Sequence, residues 1–250
     1  MNNAFFEILR SGINSTLQDE GRFNQYHIGI PFSGAMDKRN YLISNHLVGN
    51  KKNAASLEFA YQGPLLKLKF GKVSFAIAGI VKFNIIRKNS NIENGNCYET
   101  YTLDPEDQID IISTNRSVYG YFNVQGGFDI DPFWNSYSIN TKAKVGPNNG
   151  EKFSIEQKIF LKEKTNNFFK KKINYINSKI EYIRVIKSTN FDYFSKNATD
   201  NFFNKEFIVT KLSDRMRMRL EGQKLENIVS SNIKSEGLVK GVVQVPSDGN

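Results

Sequence analysis

Short runs in which apolar and polar residues alternate, separated by turn residues, recur along this 250-residue chain. Leu66, Leu68 and Phe70 alternate with Lys67 and Lys69, and a period of two sets each group on its own face of a half-buried strand. The same reading predicts strands at residues 5–10, 73–78, 81–86, 108–112, 118–124, 180–186 and 207–212. Gly71, Gly79, Asn94-Gly95 and Gly126-Gly127 punctuate them. One helix is predicted after Asp37, whose carboxylate can cap the first turn by accepting from an orphan amide. Leu42, Ile43, His46 and Leu47 then recur at helical spacing, and Gly49 ends the run. A second, shorter helix is predicted over residues 191–196, where Phe191 and Phe194 share a face. The expected class is mainly β with one or two short helices.

With 20 Phe and 11 Tyr the chain can fill a core. Its most apolar stretch, residues 73–81, is about half the roughly 20 residues a spanning helix needs, so it reads as a buried strand and no membrane partner is expected. Glu7 and Arg10 interrupt the apolar start and no basic segment precedes it, which argues against a signal peptide. The single cysteine, Cys97, excludes an internal disulfide framework and fits a reducing compartment, so a cytoplasmic location is expected. A net charge of +9 invites a nucleic-acid reading. The lysines are spread along the chain and no nucleic-acid-binding motif accompanies them, so no nucleic-acid partner is expected. The dense run within residues 158–187 reads as a solvated linker face. A boundary is placed between about residues 151 and 177, dividing the chain into domains at 1–165 and 166–250.

Residues 238–245 read as a last strand and Pro246-Ser247-Asp248-Gly249 as a turn. A strand followed by a turn leading nowhere keeps unpaired backbone groups on one side. The second domain is therefore expected to be incomplete, the chain being truncated relative to a whole fold.

Two polar clusters could carry chemistry. In the first, Asp19 and Arg22 are close enough to pair across Gly21, and Ser33-Gly34 leads into the predicted helix, whose N-terminal amides favour an anion. Arg22 and Ser33 are thus candidates for binding a carboxylate or phosphoryl group. Read otherwise, the first pair is a loop clamp and Asp37 only a cap. In the second, Ser213-Asp214-Arg215 lies just beyond a predicted strand, followed by Arg219, Glu221, Glu236 and Gln244. Arg215 and Arg219 offer forked donors for an anion, and Asp214 and Glu236 are candidate acids or bases. Ordinary ion pairs between adjacent strands would use the same residue types. Two histidines, His27 and His46, without a cysteine partner make a zinc site improbable and no metal is expected. A phosphate-binding Gly-Lys-Ser/Thr loop, a Rossmann fingerprint and a nucleophile elbow are missing, and Cys97 has no base beside it.

Taken together, several stretches resemble the family of 5-oxoprolinase C components (KipA family), also called allophanate hydrolase subunit 2-like or the biotin-dependent carboxyltransferase domain. They begin with residues 11–22 (SGINSTLQDEGR), 29–37 (GIPFSGAMD) and 45–50 (NHLVGN), then Leu57-Glu58, Gly63-Pro64, Gly126-Gly127-Phe128 and Ser136-Tyr137-Ser138. Residues 213–216, 219–222, 235–237 and 241–246 continue the same order. The resemblance implies two cyclophilin-like β-barrel subdomains. It implies work alongside two 5-oxoprolinase partners, a lactam-hydrolase-like component and a KipI-like component, which together couple ATP hydrolysis to opening of the 5-oxoproline lactam to L-glutamate. In that setting Ser213, Arg215, Arg219, Gln244, Arg22 and Ser33 would bind a small anionic substrate, and Asp214 and Glu236 would handle protons. The family also implies two alternatives: carboxyl transfer from carboxybiotin to urea or a similar amide, with biotin as cofactor, and non-catalytic regulation of a kinase inhibitor. This chain departs from the family pattern at Asn135, Gly146-Pro147, Ser188-Thr189 and Arg217, and lacks a closing stretch after Asn250.

Overall fold

A computed structural model of the chain describes residues 3–162, 168–174, 182–229, 233 and 237–249. The chain divides into two compact units, Met1–Ile176 and Asn177–Asn250. The first unit carries β1 (Phe5–Arg10), β2 (Thr16–Gln18), helix α1 (Lys38–Leu47), β3 (Ser56–Ala60), β4 (Leu65–Lys69), β5 (Val73–Ala78) and β6 (Val81–Ile86). It continues with β7 (Ile92–Gly95), β8 (Thr100–Leu103), β9 (Gln108–Thr114), β10 (Tyr119–Val124) and β11 (Lys158–Phe160). These strands form two antiparallel sheets, ordered β11-β1-β4-β9-β6-β7 and β2-β3-β10-β5-β8. The expected mainly β class is met by these antiparallel sheets, each with two edge strands.

Alternation decides which side chains meet between the sheets. Phe6 and Ile8 of β1, Leu66 and Leu68 of β4, and Phe83 and Ile85 of β6 are buried from the six-stranded sheet. Leu57 and Phe59 of β3, Phe75 and Ile77 of β5, and Phe122 and Val124 of β10 come from the other sheet into the same core. Phe122 is central, with ring centroids 5.5 Å from Phe6, 5.7 Å from Phe75 and 6.3 Å from Phe128. The five-stranded sheet is covered on its second face too, by α1, so β3 and β5 are buried at every position. That double cover explains why residues 73–78 are apolar with little interruption.

The face under α1 is polar where β3 and β10 meet the helix. The Asn123 side-chain amide lies 2.8 Å from both Ser44 Oγ and Ser56 Oγ. Asp37 caps α1 as expected, accepting from Asn40 N at 3.0 Å. Among the described residues no helix is long and apolar enough to cross a membrane.

The second unit holds α2 (Lys196–Asn204) and the hairpin of β12 (Phe207–Val209) and β13 (Leu220–Gly222). Among its described residues only Ala198 and Leu225 are buried apolar side chains, while Ile183, Ile186, Ile208, Met218 and Val239 stand exposed.

Several expectations change here. The short helix expected over residues 191–196 is a 3₁₀ turn at Phe191–Tyr193, followed by α2, whose first turn is capped by Ser195 accepting from Ala198 N at 3.1 Å. Residues 182–186 are not a strand; their apolar side chains find no sheet face, and alternation without a partner does not make a ladder. Residues 180–181 of that expectation lie outside the described residues. Residues 238–245 are not a strand either, because Gly241 at φ +101° reverses the chain after Val239. The turn at Pro246 does form, with Gly249 N donating to Pro246 O at 2.9 Å, and it is anchored by Leu225 N donating to Gly249 O at 2.9 Å. The lysine run is not a bare linker face: β11 pairs with β1, and Lys171–Lys172 lies along β8, with Thr100 N donating to Lys171 O at 3.0 Å.

Two outcomes follow from this packing. Phe122→Ala should cost about 3–5 kcal/mol, read as a lower urea midpoint, because three rings lose their common neighbour. Glu106 accepts from Lys67 at 2.7 Å and Lys69 at 2.9 Å, which pulls its carboxyl from 4.5 to about 2. A depressed folded-state value gives stability that is present above the unfolded value and lost as pH falls towards the folded one. Glu106→Gln should therefore flatten the stability profile between about pH 4.5 and 2, measured by thermal melts across that range.

Candidate functional site

The first polar cluster is built where β2 ends. Asp19, 6% exposed, accepts four hydrogen bonds: from Gly21 N at 2.8 Å, Tyr137 N at 2.7 Å, Ser136 Oγ at 2.8 Å and Ser138 Oγ at 2.5 Å. Oδ1 takes three of these donors and Oδ2 takes Tyr137 N, so both carboxylate oxygens are engaged by the fold. Gly21 has φ +103°, and a Cβ there would meet the Phe32 ring at 2.6 Å, so the turn needs glycine.

Arg22 follows, 1% exposed, and it does not form the expected ion pair with Asp19. Its Nε donates to Phe133 O at 3.3 Å and its Nη2 to Ser138 O at 2.5 Å. Asp19 and Arg22 thus grip the same distant loop rather than each other. Burial lowers the Arg22 pKa, and the charge of Asp19 opposes that shift only in part. Gly146 is also required, because a Cβ there would lie 2.5 Å from Ser138 O and 3.2 Å from Arg22 Nη2.

The loop they hold includes a two-residue turn. Phe133 N donates to Ser136 O at 2.9 Å, with Trp134 at φ 49° and Asn135 at φ 58°. Asparagine tolerates that region; tryptophan in it costs about 1–2 kcal/mol, which the clamp offsets. Trp134 is the one tryptophan of the chain and is 47% exposed.

Ser33 lies at φ 59° with its Oγ 3.3 Å from Asn140 Nδ2, five positions before α1 starts. The amides entering α1 already have partners inside the fold: Met36 N donates to Glu58 Oε2 at 2.9 Å and Asp37 N to Tyr121 OH at 2.7 Å. Tyr121 OH in turn donates to Glu58 Oε2 at 2.7 Å. The anion that favours this helix start is therefore the buried Glu58 carboxylate.

The second cluster lies in the second unit, where the β12–β13 hairpin gathers Ser213, Asp214, Arg215 and Arg219 in its connecting loop. Thr210 N donates to Arg219 O at 2.9 Å, which closes the loop. Ser213 Oγ accepts from Arg219 N at 3.0 Å, and Asp214 Oδ1 accepts from Met216 N at 2.7 Å and Arg217 N at 3.0 Å. Arg219 is exposed, whereas Arg215 is half-buried and burial lowers its pKa to about 10. Gln244 stands exposed outside any strand or helix, and Glu236 lies outside the described residues. Cys97 donates to Val81 O at 3.2 Å, and burial raises its thiol to about 11, which suppresses the thiolate at neutral pH.

Ser136, Ser138, Phe133, Gly146, Glu58 and Tyr121 complete the first cluster and its helix entry without having been singled out as site residues. Ser136 and Ser138 lie 117 and 119 positions from Asp19, so no local spacing could have paired them.

A family model described as carboxyltransferase domain, subdomain A and B, matches residues 28–250. The chain is 26% identical to the C component of 5-oxoprolinase from Haemophilus influenzae and to that from Escherichia coli, in each case over 97% of this chain and 77% of the relative. It is 24% identical to urea amidolyase of Saccharomyces cerevisiae over 87% of this chain and 12% of that protein. Among solved structures, TTHA0988 superposes with a TM-score of 0.82 at 24% identity, covering 99% of this chain and 48% of that one. Kluyveromyces lactis urea amidolyase does so with a TM-score of 0.76 at 22% identity, over 91% of this chain and 14% of that one. The chain thus spans about three quarters of the curated 5-oxoprolinase relatives and just under half of TTHA0988.

Removing the carboxylate that saturates this clamp should be costly. Asp19→Ala leaves buried hydroxyls and amides without their acceptor and should destabilise the chain by about 3–5 kcal/mol. A red shift of Trp134 emission at temperatures below the melt would show the turn released.

Proposed function

The chain belongs to the family of carboxyltransferase domains, subdomain A and B, and from that premise we propose that it serves as the C component of an ATP-dependent 5-oxoprolinase. The similarity to two curated 5-oxoprolinase C components over nearly the whole chain supports this reading above all else. In it, the chain works with a lactam-hydrolase-like partner and a KipI-like partner. The assembly opens 5-oxoproline to L-glutamate, with ATP hydrolysis driving a lactam that resists simple hydrolysis.

The chain's own residues have definable tasks in this proposal. Arg215 and Arg219 carry forked donors to an anionic group, and the loop that holds them is braced by Ser213 and Asp214. Asp214 and Glu236 handle protons, Gln244 recognises the amide, and Arg22 and Ser33 of the first unit bind an anionic group. ATP supplies the driving force and is held with the partner proteins; arginine side chains suit a phosphoryl group, which is the extent of this chain's fit to it. The similarity to urea amidolyase favours a second reading, a carboxyltransferase acting on urea or a similar amide with carboxybiotin.

Co-expression with the lactam-hydrolase-like and KipI-like partners, then assay of ATP-dependent glutamate release from 5-oxoproline, separates the two readings. Turnover is expected with 5-oxoproline, and Arg219→Ala should raise KM about ten- to a hundredfold, the loss of one charge-assisted hydrogen bond. An assembly inert towards 5-oxoproline that instead consumes carboxybiotin and urea would reverse the assignment.

A further inference from the structure

Arg22 is a buried cation whose hydrogen bonds do not close. Nε and Nη2 are used on Phe133 O and Ser138 O, while Nη1 is buried and has no hydrogen-bond partner among the described residues. Its carboxylate neighbour does not answer it: Asp19 Oδ1 accepts from Gly21 N, Ser136 Oγ and Ser138 Oγ, and Oδ2 from Tyr137 N, with no bond to the guanidinium. Arg22 has no ion pair among the described residues. A buried guanidinium with an idle donor and no contacting counter-ion is costly to keep out of water. It is also preorganised: two carbonyls, the Phe133 ring 6.0 Å from Cζ and the close approach of Gly146 fix its plane. What relieves such a group is an anionic oxygen.

We propose that Arg22 Nη1 is the donor that reads the carboxylate of a small carboxylate-bearing cyclic amide, the group that urea lacks. This rests on the 5-oxoprolinase reading and adds to it the residue that sets substrate class. A neutral amide gains little from a guanidinium, whereas a carboxylated lactam supplies both the missing counter-charge and the missing acceptor. Nη1 is covered in the structure, so entry requires part of the cover to move. The Phe133–Ser136 turn lies against the guanidinium, with Phe133 O 3.3 Å from Nε and the Phe133 ring 6.0 Å from Cζ, so a ligand on Nη1 changes its surroundings. That turn carries Trp134, so binding is read directly in the emission of the chain's one tryptophan. Arg22 precedes the stretch matched by the family model, which starts at residue 28.

The test uses two ligands that differ in one carboxylate, 5-oxoproline and 2-pyrrolidinone, titrated into the full chain while Trp134 fluorescence is followed. Binding of 5-oxoproline should be at least tenfold tighter. Arg22→Lys should shrink that ratio several-fold and Arg22→Gln should bring it to about one. If the variants fail to fold, the Arg22 Nε–H resonance of the wild-type chain decides, and it should move with 5-oxoproline and stay with 2-pyrrolidinone. Equal affinities in the wild-type chain, an unchanged ratio in a folded Arg22→Gln chain, or an unmoved resonance would each overturn the proposal. In the assembled enzyme, lactam opening with an unaltered KM in Arg22→Gln sinks this inference and spares the 5-oxoprolinase reading. A silent wild-type assembly in which this protein still separates the two ligands through Arg22 does the reverse.

Discussion

β3, β5 and β10 have to satisfy two surroundings at once, a dry core on one face and the base of α1 on the other. Residues that point to the core, such as Phe59, Phe75 and Phe122, are large and apolar. Their neighbours in the chain, Glu58, Ala76, Tyr121 and Asn123, point to the helix and are small or polar. A sheet covered on both sides leaves no room for water to repair a mistake, so each polar group needs a partner in the fold. Glu58 and Tyr121 meet that need by binding the amides that open α1. The position of the helix, and of the chain that leads into it from Ser33, follows from those bonds.

The cluster at Asp19 and Arg22 works by a different division. An ion pair between them would have neutralised both charges locally and left residues 133–146 to find their own place. Instead the carboxylate collects the donors of that loop and the guanidinium its carbonyls. The loop is held by two charges of opposite sign, one of which is satisfied and the other is not. Structural need accounts for all of Asp19 and for most, though not all, of Arg22.

Much of the first unit could be read from residue order. Alternation located β1, β4, β6 and β9, the nearly unbroken apolar run located β5, and Asp37 with Gly49 bracketed α1. The short strands β2, β8 and β11 carry too few residues for a period to register, β3 is buried at every position and so does not alternate, and β11 was hidden inside a run of lysines. In the second unit, alternation misled at residues 182–186 and 238–245, because a pattern specifies a face and not the sheet that must meet it. The residues of both clusters were visible as types; the hairpin loop that holds Ser213, Asp214 and Arg219 was not, because the expected strand ran to residue 212 whereas β12 ends at Val209. The partners of Asp19 were not visible, since contact between positions 19 and 138 is a property of topology alone.

That long reach has a consequence for how the chain comes into being. Asp19 and Arg22 are synthesised well over a hundred residues before Ser136 and Ser138, and β1 long before its edge partner β11. At about 5–20 residues per second, a growing chain carries both charges in water for roughly 6 to 24 s before the loop that buries them exists. The sheets can begin to pair in that interval, but the charged pair cannot be desolvated. The site is therefore among the last parts of the first unit to assemble, and a nascent chain stalled before residue 133 would own most of the core and none of the loop that Asp19 and Arg22 hold.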